Sequence, residues 1–225
     1  MQQLVLTDVH THNCPTGLCS IFSFIPGSGS ANPPDDVFFS AGLHPWYLSH
    51  LYTDERKQVE ELCAHPRMVA IGETGIDKIK GPELEIQADV FSWHLVLASK
   101  FALPVIVHQV RAVSEVVKMM QEHSFQLPVI IHGFRGKLQD ARIFLDAGCY
   151  LSLGLAATKP SAGLTESIRY IPPDRLFVET DNYAGPICDI YKAVSQIRGI
   201  EIEALAGQVL MNFKHCFNKA DGKLG

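Results

Sequence analysis

Five apolar runs in this 225-residue chain each lead into a residue type that binds metal ions. The runs over 4–10, 69–73, 105–108, 129–132 and 176–181 reach His10 (with His12 two residues beyond), Glu73, His108, His132 and Asp181. Short continuous apolar runs bounded by turn residues read as buried strands, and a parallel barrel gathers its chemistry where its strands end. One histidine at a strand end says little in a chain that has ten. The same grammar in five separate strands predicts one shared site of imidazoles and carboxylates.

The rest of the chain fits that frame. Eight candidate strands, at 4–10, 18–25, 37–42, 68–73, 103–108, 128–132, 149–153 and 175–180, alternate for most of the length with helical patterns at 53–65, 83–100, 113–123, 137–147 and 164–170. Repeated strand–helix units imply a parallel sheet. Pro104, Pro128, Gly148 and the Pro172-Pro173 pair stand just before strands, where a helix must stop and cannot resume. Residues 26–36, rich in Gly, Pro and Ser, read as a loop where a helix is due. The expected fold is therefore α/β: a single-domain (β/α)8 TIM-type barrel over residues 1–225, compact and lacking one helix near residues 26–36.

Composition narrows the function classes. With 47% apolar residues the chain can bury one sizeable core. A net charge of -5 and a pI near 6.0 give no overall basic field, so any polyanion must be held locally. The first residues lack a charged, apolar leader and no apolar run reaches membrane-spanning length, which predicts a cytoplasmic protein with no membrane contact. Six cysteines lie scattered without a CxxC pair, as expected of reduced thiols rather than a disulfide framework or zinc knuckle. No obligatory protein partner is evident.

In an extended segment residues two apart share a face, so His10 and His12 are both able to reach one ion. His108 and His132 each follow near-identical runs, Pro-Val-Ile-Val and Pro-Val-Ile-Ile, and an imidazole beside so much aliphatic surface needs a partner. Glu73 closes Val-Ala-Ile-Gly-Glu and is the candidate bridge between two ions. Asp181 is placed to ligate metal and to accept a proton from attacking water, with Glu179 as the rival carboxylate. Four imidazoles and two carboxylates exceed what one tetrahedral zinc takes from protein, so two divalent ions are expected. Zinc, manganese, nickel, iron and magnesium all remain open, with magnesium the poorest match to imidazole.

The series Asp8-Val-His-Thr-His12, Gly42-Leu-His-Pro45, Ile71-Gly-Glu-Thr-Gly-Ile-Asp77, Pro104-Val-Ile-Val-His108, His132-Gly-Phe-Arg-Gly136 and Glu179-Thr-Asp181, with a terminal Asn212-Phe-Lys-His-Cys-Phe217, resembles the TatD family of metal-dependent DNases. The resemblance implies a TIM-type barrel, a divalent-metal site and hydrolysis of DNA phosphodiesters. By that pattern His10, His12 and Asp181 hold one ion, His108 and His132 the other, and Glu73 bridges, with Glu73 and Asp181 as the catalytic pair. His44, which ends the third strand, is a candidate substrate contact, and Trp46 beside it either stacks on a base or covers the barrel mouth.

The chain departs from the family pattern at its rim. His108-Gln-Val-Arg111 moves an arginine by one residue, Arg135 stands where the family carries a serine, and Asn182-Tyr183 replaces Ser-Pro after Asp181. Arg111 and Arg135 are therefore the candidate cationic substrate contacts. The expected activity is cleavage of phosphodiester bonds, in DNA ends or single strands or in a small phosphodiester. A small-molecule amidohydrolase cleaving an amide or ester with the same dinuclear site is the alternative, since one barrel hosts many chemistries. A non-catalytic binding barrel is the third possibility, and a full set of six ligands argues against it.

Overall fold

A computed structural model describes residues 4–13, 19–27, 32–48 and 52–217. Eight strands run in parallel in a single sheet, ordered as they occur in the chain: β1 Asp8–Thr11, β2 Ser20–Phe24, β3 Phe38–Ala41, β4 Met68–Asp77, β5 Val105–Val110, β6 Val129–Ile131, β7 Tyr150–Leu153 and β8 Leu176–Val178. Helices α1 Thr53–Leu62, α2 Leu84–Phe101, α3 Val113–Glu122, α4 Leu138–Asp146 and α5 Ala162–Tyr170 follow β3 to β7, and α6 Ile187–Arg198 and α7 Ile202–Cys216 follow β8. This is the expected (β/α)8 barrel. The strands are buried on both faces, β4 along all ten residues, which is why they read as continuous apolar runs rather than alternating ones.

Several boundaries differ from the sequence reading. Residues 4–7 precede β1 rather than belonging to it, and β4 does not end at Glu73 but runs four residues further, to Asp77. Glu73 is thus inside a strand. No helix follows β2 among the described residues, as anticipated for 26–36, and none follows β1 either; Cys14, residue 18, residues 28–31 and His50 lie outside the described residues. Helix α6, which the sequence reading did not anticipate, lays Ile190, Tyr191 and Val194 inward. It stops at Gly199, whose φ of 64° is the left-handed cap position that glycine fills without penalty. Among the described residues no helix is long and apolar enough to cross a membrane.

The barrel closes between β1 and β8, and it does so at the end where the candidate site lies. The two strands meet in an isolated bridge between Thr11 and Asp181, in which the Asp181 N–H donates to His10 O at 2.9 Å and the His12 N–H to Asp181 O at 3.0 Å. Beneath it the buried Asp8 carboxylate accepts from Thr180 N at 3.0 Å and from Thr180 Oγ1 at 2.7 Å. Tyr191 of α6 ties down the approach to β1, its hydroxyl donating to Thr7 O at 2.9 Å and accepting from Thr7 N at 3.1 Å. Replacing Asp8 by Ala strands the Thr180 N–H away from water, while the Thr180 hydroxyl keeps Thr11 Oγ1 at 2.8 Å. The expected loss is about 1–2 kcal/mol of unfolding free energy, read as a lower denaturant midpoint with an unchanged slope; a midpoint equal to wild type would show that the seam closes without this carboxylate.

Candidate metal centre

Glu73 is the hub of the site. Its carboxylate is buried, and five imidazoles from four segments converge on it: His10 Nε2 at 3.3 Å and His12 Nε2 at 3.4 Å from Oε2, and His44 Nε2 at 3.0 Å, His108 Nδ1 at 3.0 Å and His132 Nε2 at 2.7 Å from Oε1. Asp181 Oδ1 lies 3.5 Å from His12 Nε2 and 3.8 Å from His10 Nε2. All six sequence-predicted ligands therefore gather at one point, with His12, Glu73, His108, His132 and Asp181 lining one cavity and His10 buried beside them. The register of the sheet explains how His108 meets His132: His132 N–H donates to Val107 O, which sets the two imidazoles next to each other with Nδ1 of His108 3.3 Å from Nε2 of His132.

Backbone geometry delivers Glu73 to that point. Gly72 (φ 144°) and Gly75 (φ 136°) flank Glu73 and Thr74, and a Cβ at either would lie 2.6 Å from Ile106 O or 2.1 Å from His108 O. Only glycine lets β4 lie this close to β5 in such a conformation. Asp181 itself has φ of 53°, a left-handed conformation in which aspartate is enriched.

Burial alone would raise the Glu73 carboxyl, but the imidazoles of His132, His10 and His108 outweigh it and hold it well below the usual carboxylate range. His132 is shifted the other way: burial would lower it, and Glu73 and Glu179 together raise it well above the usual imidazole value. The donor set fits a divalent cation. His10 is fully buried, yet among the described residues its Nδ1 has no hydrogen-bond partner and its Nε2 meets only carboxylate oxygens, Glu73 Oε2 at 3.3 Å and Asp181 Oδ1 at 3.8 Å, without hydrogen-bond geometry, a costly state for an imidazole unless a cation sits between them. Ligand-type atoms converge there in the groups His10–His12–Glu73 and His10–His132–Asp181.

His44, His108 and Glu73 form a third such group. His44 Nδ1, however, accepts the Trp46 N–H at 3.0 Å, so the neutral ring carries its proton on Nε2 and presents a donor rather than a lone pair.

The family model described as TatD related DNase matches residues 29–218. A metal-dependent hydrolase of Buchnera aphidicola, described as uncharacterized, is 31% identical over 204 residues, 81% of this chain and 77% of that protein. The chain belongs to the TatD family. The Mycobacterium tuberculosis metal-dependent hydrolase TatD, also described as uncharacterized, is 35% identical over 152 residues, 64% of this chain; the chain spans 58% of that relative's length. The fold matches the crystal structure of the TatD homologue YjjV from Escherichia coli with a TM-score of 0.77 at 24% identity, covering 88% of this chain and 86% of that one.

In this TatD family member the rival carboxylate has its own place. Glu179 does not replace Asp181: its Oε1 lies 3.4 Å from His132 Nδ1 and accepts the Gly133 N–H at 2.6 Å, so it fixes the ring from behind. Asp77, the last residue of the Ile71–Asp77 motif, does the same for His108, with Oδ2 3.1 Å from Nε2 and accepting the Trp46 indole N–H at 2.6 Å. Carboxylates behind imidazoles fix ring orientation and raise ligand basicity. Trp46 therefore braces Asp77 at the barrel mouth.

Asn182, one of the departures from the family pattern, donates its amide to Asp181 Oδ1 at 3.0 Å. Of the two candidate arginines, Arg135 lines the open cavity of about 860 Å³ above the site, together with His44 and Lys159. Arg111 is exposed and is not among the described residues that line it.

His94 is a buried crosslink between the two segments that carry His44 and Glu73. Its Nε2 accepts the Leu43 N–H at 3.1 Å, so Nδ1 carries the proton and lies 2.8 Å from both Val90 O and Thr74 Oγ1. Burial pushes this imidazole down from 6.5 to about 3. Because the unfolded chain takes up the proton first, the contribution of His94 to stability is complete above pH 6.5 and is lost as pH falls towards 3. Metal-free wild type is thus expected to lose more stability over that window than His94→Gln, by at most roughly 1.4 kcal/mol per pH unit. Parallel stability curves for the two proteins would contradict this role.

Proposed function

We propose that this TatD family chain is a divalent-metal-dependent phosphodiesterase acting on DNA at accessible ends or single strands. The observation that carries the reading is the buried Glu73 carboxylate shared by histidines on two sides, with Asp181 at the open edge. His10, His12 and Asp181 would hold one cation and His108 and His132 the other, with Glu73 between them. When bound, the two cations supply Lewis acidity toward the phosphoryl oxygens and lower the pKa of water.

The residues of the chain do the rest. Asp181, its side chain 38% exposed, takes the proton from attacking water at Oδ1. His44, whose Nε2 proton lies on Glu73 Oε1 at 3.0 Å, would turn that proton to a substrate oxygen when a cation takes the carboxylate, its ring kept neutral because burial lowers its pKa more than the Glu73 carboxylate raises it. Arg135 and Lys159 line the cavity and offer local positive charge for a neighbouring phosphate in a protein of net charge -5. With few such contacts, DNA binding is shallow in its salt dependence, on the order of one to three phosphates. A flexible strand or an end enters the cavity more readily than an intact duplex, which would have to distort.

Metal-reconstituted protein is expected to cleave labelled single-stranded DNA faster than duplex and to turn over bis(p-nitrophenyl) phosphate, with chelation abolishing both. Asp181→Asn serves as the inactive control. Glu73→Gln should lose on the order of a hundredfold or more in activity and His44→Asn roughly tenfold. Equal losses at the two positions with metal retained in Glu73→Gln would refute the bridging role. No phosphodiester cleaved above the Asp181→Asn control, with turnover of a small amide or ester, would assign the chain as an amidohydrolase instead.

A further inference from the structure

The two halves of the site are built differently. In one, each imidazole has a buried carboxylate on the nitrogen that faces away from Glu73. Asp77 Oδ2 lies 3.1 Å from His108 Nε2, and Glu179 Oε1 lies 3.4 Å from His132 Nδ1. A carboxylate only accepts, so in the neutral rings these outer nitrogens carry the protons. His108 Nδ1 and His132 Nε2 are left bare toward Glu73, 3.3 Å from each other, where one cation answers both lone pairs. Asp77 is fixed in turn, for its Oδ1 accepts the backbone N–H groups of Ile79 at 2.7 Å and Lys80 at 3.0 Å while Oδ2 takes the Trp46 indole. Both rings are therefore set as ligands by the fold itself.

The other half has no such braces. Among the described residues His10 Nδ1 has no hydrogen-bond partner, and the carboxylates beside His12 are Glu73 and Asp181, both met by Nε2. This half is also the open one: the side chains of His12 and Asp181 are 22% and 38% exposed, those of His108 and His132 only 10% and 7%. Asp181 brings a charge directly to it, but solvent screens that carboxylate and Oδ1 also accepts the Asn182 amide. With Glu73 common to both, the enclosed half faces three carboxylates (Glu73, Asp77 and Glu179) and the open half two.

We propose that the two halves take cations unequally: Asp77 and Glu179 are positioning residues that hold one cation tightly on His108 and His132, while the His10–His12–Asp181 half fills later and exchanges with solvent. The proposal rests on the two-cation reading of the site. A carboxylate behind a ligating imidazole changes metal affinity by about 10–100-fold, so the two occupancies are separated by at least about tenfold in free metal. Hydrolysis that needs both cations then switches on over the range in which the open half fills, and free divalent cation regulates the chain.

Metal release tests this without reference to activity. Zinc-loaded full-length protein is dialysed against buffers of graded free zinc and the zinc per chain is counted. Two steps are expected, and crystals of the one-zinc form, measured at the zinc absorption edge, should show the retained ion beside His108 and His132. Asp77→Asn and Glu179→Gln should each move the tighter step by about tenfold or more and leave the weaker one within about twofold. Trp46→Phe, which keeps the Asp77 carboxylate and removes its indole donor, should move the same step in the same direction by less, and it reads the effect where a buried substitution fails to fold. Asp181→Asn should move the weaker step alone. A retained ion beside His10, His12 and Asp181, loss of both ions in one step, or equal shifts of the two steps in Asp77→Asn and Glu179→Gln would overturn the proposal and leave the two-cation reading standing. Saturated wild type that holds a single zinc, on His108 and His132 and weakened in Asp77→Asn, would remove the two-cation reading and keep these carboxylates as the braces of the ion that binds.

Discussion

A carboxylate taken out of water must be paired, and the pairing of Glu73 organises this barrel. An unpaired buried charge costs several kcal/mol, whereas one surrounded by donors or cations is held in place. Glu73 sits inside a strand that is buried along its whole length, and the groups that answer its charge come from the ends of β1, β3, β5 and β6. Each of those imidazoles has to be aimed. Asp77 aims His108 and Glu179 aims His132, and the Trp46 N–H fixes the proton of His44 on Nε2.

The same demand ties the chemistry to the stability of the fold. The β1–β8 closure, made by Asp181, Thr180 and Asp8, places His10 and His12 next to Asp181, so the seam of the barrel and one side of the site are built from one set of backbone hydrogen bonds. His94 links the segments leading to His44 and Glu73 from below. A site held by strands and buried crosslinks keeps its geometry without a ligand. The rim, by contrast, includes the segments after β5, β6 and β8, where this chain departs from the pattern of its family at Arg111, Arg135 and Asn182-Tyr183.

The barrel and the six clustered side chains were legible in the sequence because burial on both faces of a parallel strand writes itself as an unbroken apolar run, and the residue that breaks the run stands out. Glu73 was legible as a site residue but not as a mid-strand one: Gly-Glu-Thr-Gly reads as a terminus, and only the close approach of β4 to β5 shows why glycines flank the carboxylate. Helix α6 escaped because its inward stripe of Ile190, Tyr191 and Val194 starts just after the Gly185-Pro186 break. Asp77 and Glu179 were visible as acids but not as braces for imidazoles, since their partners lie 31 and 47 residues away and only the strand register brings them together. Arg111, by contrast, is exposed and lies outside the residues that line the cavity.

The central claim is that Glu73 lies between two cations. Anomalous diffraction from crystals of the manganese- or zinc-loaded protein, recorded at the absorption edge of the metal, tests it directly. The account predicts two peaks about 3.5–4 Å apart on either side of the Glu73 carboxylate, one near His10, His12 and Asp181 and the other near His108 and His132. A single peak at saturating metal, or peaks that do not flank Glu73, would contradict it.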